Sequence, residues 1–320
     1  METRSTRGRV HRLAFDVDWP PGHVACYLVD GPEPVLVDAA TPGHESAFRE
    51  RLAATDHDPA DVEHVLVTHP HVDHVGQVPT VLAAGDPTVH APAGVRERFA
   101  RDPDDVAARV RRNCEAAGFP DEQLEMAVEM AVESLERDSA LLDPAAVDHW
   151  VEPGETTTVG DLKVEAVHVP GHQADHLSYR TDVDGERALL AGDVGIQPFR
   201  PVVMHDGLDD GHREAFDAFY TALDRLAALD VDRVYPGHGP VHDGLQGAVE
   251  RDRRSLDDRL ERVQGLVADG YSTGPGVAIA LAGERDVKYL IPEAMSALAH
   301  LERTGEVSAG MVDGVRQYSR

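Results

Sequence analysis

Thr68-His69-Pro70-His71-Val72-Asp73-His74 sets three imidazoles and a carboxylate directly behind the apolar run Val65-Leu66-Val67. Valine in such a run favours an extended strand. A strand that ends in side chains of this kind delivers them to the rim of a sheet, where a metal is held while a substrate still enters. Neutral imidazole and carboxylate suit zinc or a similar first-row ion, in the open type of site that keeps a position for water. The bland alternative is a solvated loop in a chain that carries 18 His. At that frequency a chance H-x-H-x-D-H run is on the order of one in a hundred or less.

Three later stations follow the same plan. Pro170-Gly171-His172 ends an apolar strand over Val164–Val169, and Ala191-Gly192-Asp193 follows another over Arg187–Leu190. Tyr235-Pro236-Gly237-His238-Gly239 follows a third extended run around Val234. Each candidate ligand stands beside a glycine that permits a tight turn. Upstream, a further strand ends in Leu36-Val37-Asp38.

These motifs together resemble the metallo-β-lactamase superfamily, between about residue 10 and residue 245. The resemblance implies an α/β fold, a four-layer αββα sandwich, with two metal ions at its rim. His69, His71 and His172 would hold one ion, and Asp73, His74 and His238 the second, with Asp193 bridging both. Two Zn2+ are implied, with iron or manganese as the alternative at one position. Asp73 and Asp193 are then the catalytic carboxylates, and Asp38 orients the metal-binding loop through hydrogen bonds. A hydroxide shared by two such cations forms near neutral pH, because they lower the pKa of water from about 16 to about 7. Antibiotic-hydrolysing members generally lack a bridging aspartate where glyoxalase II-like and nuclease-like members have one, so Asp193 disfavours a true β-lactamase.

Other histidines carry less. His176 follows His172 closely but falls outside the motif, which makes it a neighbour of the ligand set. His205 is a candidate for lining the substrate pocket. His23, His44, His57, His64, His168 and His242 have no spacing signal and read as surface or packing residues. No residue carries a substrate-binding signature.

The formal charge is -28, from 58 acidic and 30 basic residues, and Lys163 and Lys288 are the only lysines. The acids are dispersed along a chain that is 42% hydrophobic, which is not the pattern of a disordered tail. Dispersed acids are a device of salt-adapted proteins, so the expectation is a halophilic, cytoplasmic protein. Cys26 and Cys114 form no disulfide framework and read as packing residues. The polar N-terminus, Met1 to Arg7, leads into no signal peptide, and no run is long enough to span a bilayer.

The chain divides into a catalytic part over 1–246 and a helical part over 247–320. Within the first, residues 94–148 read as a helical insertion. Val106, Val110 and Cys114 share one helix face, and Leu124, Val128, Ala131 and Leu135 share another, with Gly118-Phe119-Pro120 between. The insertion is either a structural hairpin or a lid with Met126 and Met130 as apolar contacts. At the end, helices over Ala248–Ala268 and Glu293–Arg303 and a small hairpin resemble the winged-helix-like tail of the β-lactamase-like protein 2 branch, some members of which cleave RNA. The expected function is therefore a dinuclear metallohydrolase of a thioester or other small ester, like hydroxyacylglutathione hydrolase. The alternative is a metal-dependent endoribonuclease. A charge of -28 argues against a nucleic-acid partner and for a small-molecule substrate. Oligomeric state has no signature.

Overall fold

The computed structural model describes residues 8–283 and 290–320, so the N-terminal Met1 to Arg7 and Lys288 lie outside the described residues. A first sheet holds β1 (Val10–Asp16), β2 (His23–Val29), β3 (Val35–Val37), β4 (His64–Leu66), β5 (Thr88–Pro92) and β6 (His149–Val151), side by side in chain order. The first three pair antiparallel, and β3 to β6 pair parallel. The parallel crossovers carry α1 (Glu45–Ala53), α2 (Val72–Val75), α3 (Val78–Ala84), α4 (Ala93–Phe99), α5 (Pro103–Ala117) and α6 (Asp121–Leu141). A second sheet contains β7 (Thr156–Val159), β8 (Leu162–His168), β9 (Leu177–Val183), β10 (Glu186–Gly192) and β11 (Arg233–Pro236). Helix α7 (Ala215–Ala227) forms the crossover between β10 and β11, which pair parallel.

The layering follows from the two-residue period of the strands. On β2, Ala25, Tyr27 and Val29 face the second sheet and meet Val164, Tyr179 and Leu190. Val24, Cys26 and Leu28 face the other way, onto Phe48 and Leu52 of α1 and Val78 and Val81 of α3. On β10, Ala188 and Leu190 point between the sheets, while Leu189 and Ala191 share a cluster with Phe216 and Phe219 of α7. The result is the expected order helix, sheet, sheet, helix.

Helices α2 and α3 are separate, because the chain leaves helical geometry at Gln77, and Gly76 before it lets the backbone of Thr41 and Pro42 come close. The C-terminal part contains α8 (Leu245–Ala268), α9 (Gly274–Ala282), α10 (Leu290–Arg303) and the hairpin β12 (Ser308–Val312) and β13 (Val315–Ser319). Helix α9 has no counterpart among the helices expected from the sequence; Thr273 caps it by accepting from the Gly276 amide. Leu245, Val249 and Leu256 of α8 and Leu298 of α10 lie in the same apolar cluster as Phe216 and Leu189. Val106, Val110 and Cys114 of α5 join that cluster as well. Helix α6 packs against α2, with Met126 and Met130 exposed. No helix among the described residues is long and apolar enough to cross a membrane.

Candidate metal centre

Strand β4 feeds Thr68 and His69 straight to the rim, and His71 then starts the one-turn helix α2, which presents Asp73 and His74. The loop after β3 closes over this helix. Asp38 sits at φ 57 and Ala40 at φ 47, and the Ala39 amide donates to the His74 carbonyl at 2.6 Å. Asp is among the few residues that adopt the left-handed region readily, whereas Ala does so at a cost of about 1–2 kcal/mol. Strain at this point is kept because the turn places the Asp38 carboxylate underneath the histidines.

The structure brings the expected donors together. His71 Nδ1 lies 3.0 Å from both His69 Nε2 and His172 Nε2. Asp193 reaches His74 Nε2 at 3.3 Å through Oδ1, and His172 Nε2 at 3.3 Å and His238 Nε2 at 3.2 Å through Oδ2. Asp73 Oδ2 is 3.4 Å from His238 Nε2. His69, His71 and His172 form one convergent group, Asp73, His74 and His238 another, and Asp193 touches members of both. His74 Nε2 and Asp193 Oδ1 are buried and face only each other, 3.3 Å apart and outside good hydrogen-bond geometry. Such orphans are rare in the interior and call for an occupant, and this donor set fits a first-row cation.

The outer ring nitrogens settle the tautomers. His172 Nδ1 donates to the Val202 carbonyl at 3.2 Å, and His238 Nδ1 donates to the His23 carbonyl at 2.6 Å. His74 Nδ1 donates to Asp38 Oδ2 at 2.9 Å. The Thr68 hydroxyl donates to Asp38 Oδ2 at 2.9 Å and so accepts from His69 Nδ1 at 3.0 Å. In each neutral ring the remaining nitrogen then turns its lone pair inward. Asp38, nearly fully buried, thus organises two of the rings at once.

Charge divides the centre in two. Burial, assisted by His74 and His176, holds His69 well below its ordinary pKa, and burial with His172 takes His71 down to about 3. On the carboxylate side burial opposes charge but loses. Asp193 and Asp73 raise His238 to about 10, and Asp193, Asp38 and Asp73 raise His74. Asp73 falls to about 2 under the pull of His74 and His238, against its own burial. The converging carboxylates therefore favour positive charge on His74 and His238.

Several supports escape sequence reasoning. His23 reads as a packing residue, yet its carbonyl holds His238, and its Nε2 accepts from the Gly239 amide at 2.7 Å. His242 Nε2 donates to the Gly195 carbonyl at 2.9 Å and ties the loop after Asp193 to the loop after His238. Arg259 of α8 donates to the Pro201 carbonyl at 2.8 Å, one residue before the carbonyl that holds His172, and is paired with buried Glu293 of α10 at 3.0 Å. The insertion is also anchored here: Arg98 of α4 bonds Asp175 at 2.8 Å and pairs with Asp206, and Arg109 of α5 bonds Asp209 at 2.6 Å. His205, expected along a substrate pocket, has its amide bonded to the His172 carbonyl at 2.9 Å and is largely buried behind that ligand. A side chain at Gly237 would meet Asp193 Oδ1 at 2.5 Å, so the glycine before His238 is needed for close approach.

The family model described as the metallo-beta-lactamase superfamily matches residues 19–238 of this chain. A beta-lactamase-like protein 2 homolog of Caenorhabditis elegans is 25% identical over 245 residues, which are 75% of this chain and 62% of that protein's own length. A hydroxyacylglutathione hydrolase of Rhodopseudomonas palustris is 25% identical over 270 residues, 83% of each chain. Among solved structures, a metallo-beta-lactamase family protein of Thermus thermophilus superposes with a TM-score of 0.79 at 25% identity, over 98% of both chains.

Proposed function

The chain belongs to the metallo-beta-lactamase superfamily, and on that premise we propose that it is a dinuclear zinc hydrolase of a thioester or other small ester. The observation that carries the proposal is the placement of Asp193 against members of two convergent donor groups, one carboxylate oxygen toward His74 and the other toward His172 and His238. On this reading His69, His71 and His172 hold one ion and Asp73, His74 and His238 the other, with Asp193 shared. Two such ions, when bound, supply a hydroxide at near-neutral pH and polarise the scissile carbonyl. The chain's own part is to hold the lone pairs inward. Asp38 does this for His74 and, through Thr68, for His69, while the Val202 and His23 carbonyls do it for His172 and His238.

The thioester class is supported by likeness to the Rhodopseudomonas hydrolase along most of both chains. The charge of -28 weighs against a polyanionic substrate. A second reading, RNA cleavage, draws support from the three helices and a hairpin at the C-terminal end, which resemble a winged-helix-like tail. The dispersed acids support a salt-adapted, cytoplasmic setting.

The test is elemental analysis of the purified protein followed by an activity screen against thioesters, phosphodiesters and short RNA, in dilute buffer and in molar potassium chloride. About two ions per chain, metal-dependent thioester cleavage and a melting temperature that rises with salt are expected. Efficient RNA cleavage without thioester hydrolysis would reverse the ranking of substrates. A metal content reproducibly near zero would remove the dinuclear reading.

A further inference from the structure

Among the described residues, His176 is the one fully buried imidazole at the rim that belongs to neither convergent donor group. Its Nε2 accepts from the backbone amide of Asp193 at 2.9 Å. Its ring stacks on that of His69, with centroids 4.6 Å apart and planes inclined by 27°. Its own carbonyl accepts from the Val169 amide at 2.9 Å, which closes the loop that carries His172. One residue thus touches the segments that bring three of the donors.

Gly192 shows how close this packing is. It adopts φ +59, and a Cβ there would lie 2.5 Å from His176 Nε2 and 2.8 Å from the Thr68 hydroxyl. The ring of His176 occupies the place a side chain at residue 192 would need.

A ring that accepts at Nε2 is the neutral tautomer with its hydrogen on Nδ1. Here Nδ1 is buried with no partner. Leaving that N–H unsatisfied costs free energy that an apolar residue of similar shape would not incur. What His176 supplies and an apolar ring does not is the acceptor for the Asp193 amide.

We infer that His176 is a positioning residue, whose Nε2 fixes the main chain at Asp193 and so aims the carboxylate that both donor groups share. The inference rests on the metal-binding reading above, and it assigns His176 no contact with an ion or a substrate.

Two substitutions separate the acceptor from the ring. His176→Gln keeps an acceptor of similar reach and discards the ring, whereas His176→Phe keeps the stacking ring and discards the acceptor. Zinc affinity is measured by competition with a chromophoric chelator, and the cobalt-loaded proteins are compared by their visible spectra. His176→Phe is expected to bind zinc about 10–100-fold more weakly, the usual effect of losing an outer partner. His176→Gln is expected to stay near the parent in affinity and spectrum. A purely packing role reverses the order, with Phe close to the parent and Gln impaired, and that result overturns the inference. Equal affinities in all three proteins overturn it too. If His176→Phe does not fold, His176→Leu set against His176→Gln makes the same comparison, since only Gln retains an acceptor. A parent protein that binds no zinc is a different failure, that of the metal-binding reading itself.

Discussion

Two clusters of histidines share this sandwich and differ in nearly everything except residue type. The first lies beyond the end of β4, where ring nitrogens face one another and the outer nitrogens are held by the Val202 and His23 carbonyls, Asp38 and Thr68. The second lies at the start of β4 and on the strands beside it. There His64 Nδ1 is 3.3 Å from His90 Nε2, the His90 and His149 rings are 5.7 Å apart, and His149 Nε2 is engaged by Glu155 at 2.7 Å. In that cluster one ring answers another and the nearby carboxylate is already partnered, and among the described residues no third donor converges with them. A count of imidazoles does not distinguish the two. What does is the set of acceptors behind the rings, which turns lone pairs toward a common point.

The largest effect expected at the first cluster is that of Asp193→Ala. Among the described residues it removes the only carboxylate that touches members of both donor groups. Metal content should fall from about two ions to about one or fewer, and turnover of the best substrate by at least ~100-fold. The double substitution His64→Gln with His149→Gln should leave metal content unchanged. Elemental analysis of both proteins checks the contrast, and full activity in Asp193→Ala would break it.

A smaller effect should come from behind the rings. Asp38→Asn preserves a residue that tolerates the φ of 57 at this position, so the change falls on the acceptor rather than on the turn. An amide has one acceptor oxygen where the carboxylate receives His74, the Thr68 hydroxyl and the Thr68 amide, the last at 2.8 Å. Chelator competition should show zinc affinity reduced about 10–100-fold with the protein still folded. An unchanged affinity would show that outer acceptors do not separate the clusters.

Much of the first cluster is legible in the sequence because its motifs resemble those of the superfamily, with the last three donors beside glycines. That resemblance implies His69, His71, Asp73, His74, His172, Asp193 and His238, and the structure brings them together. The supports are not legible. His23 acts mainly through its carbonyl, and every residue has one, so nothing in its identity signals the contact with His238. His176 lies next to the His172 motif, but its acceptor role depends on Asp193, which is brought near only by the pairing of β9 with β10. In the fold, sequence reasoning misses α7 and β9 as elements although Phe216, Phe219 and Tyr179 are core residues. Helix α8 reads as the start of a separate tail, yet Leu245, Val249 and Leu256 complete the apolar cluster over the second sheet, and Arg259 braces the loop behind His172. Apolar periodicity shows that a helix buries a face, and it does not show against what.

The smallest effect concerns the second cluster and acidity. Burial, with His64 and His149 adding to it, lowers the pKa of His90 to about 4. Between about pH 6.5 and pH 4 an unfolded chain binds a proton at this histidine and the folded chain does not, so stability falls as pH falls through that window. His71, at about 3, acts in the same direction in the metal-free protein, and zinc bound there would add to it because binding requires a neutral ring. His238, raised to about 10, acts oppositely when no metal is bound. Its contribution is complete below about pH 6.5 and is lost as pH rises toward 10. His90→Gln removes the titrating ring of the second cluster while keeping a polar side chain. The melting temperature near pH 5 should rise by a few degrees relative to the parent, on the order of what ~1 kcal/mol produces in a chain of this size. At pH 7.5 the gain should vanish, and metal content should be that of the parent at both pH values. A loss of bound metal on His90→Gln would mean that the second cluster, too, holds an ion, and the distinction drawn from outer acceptors would fail.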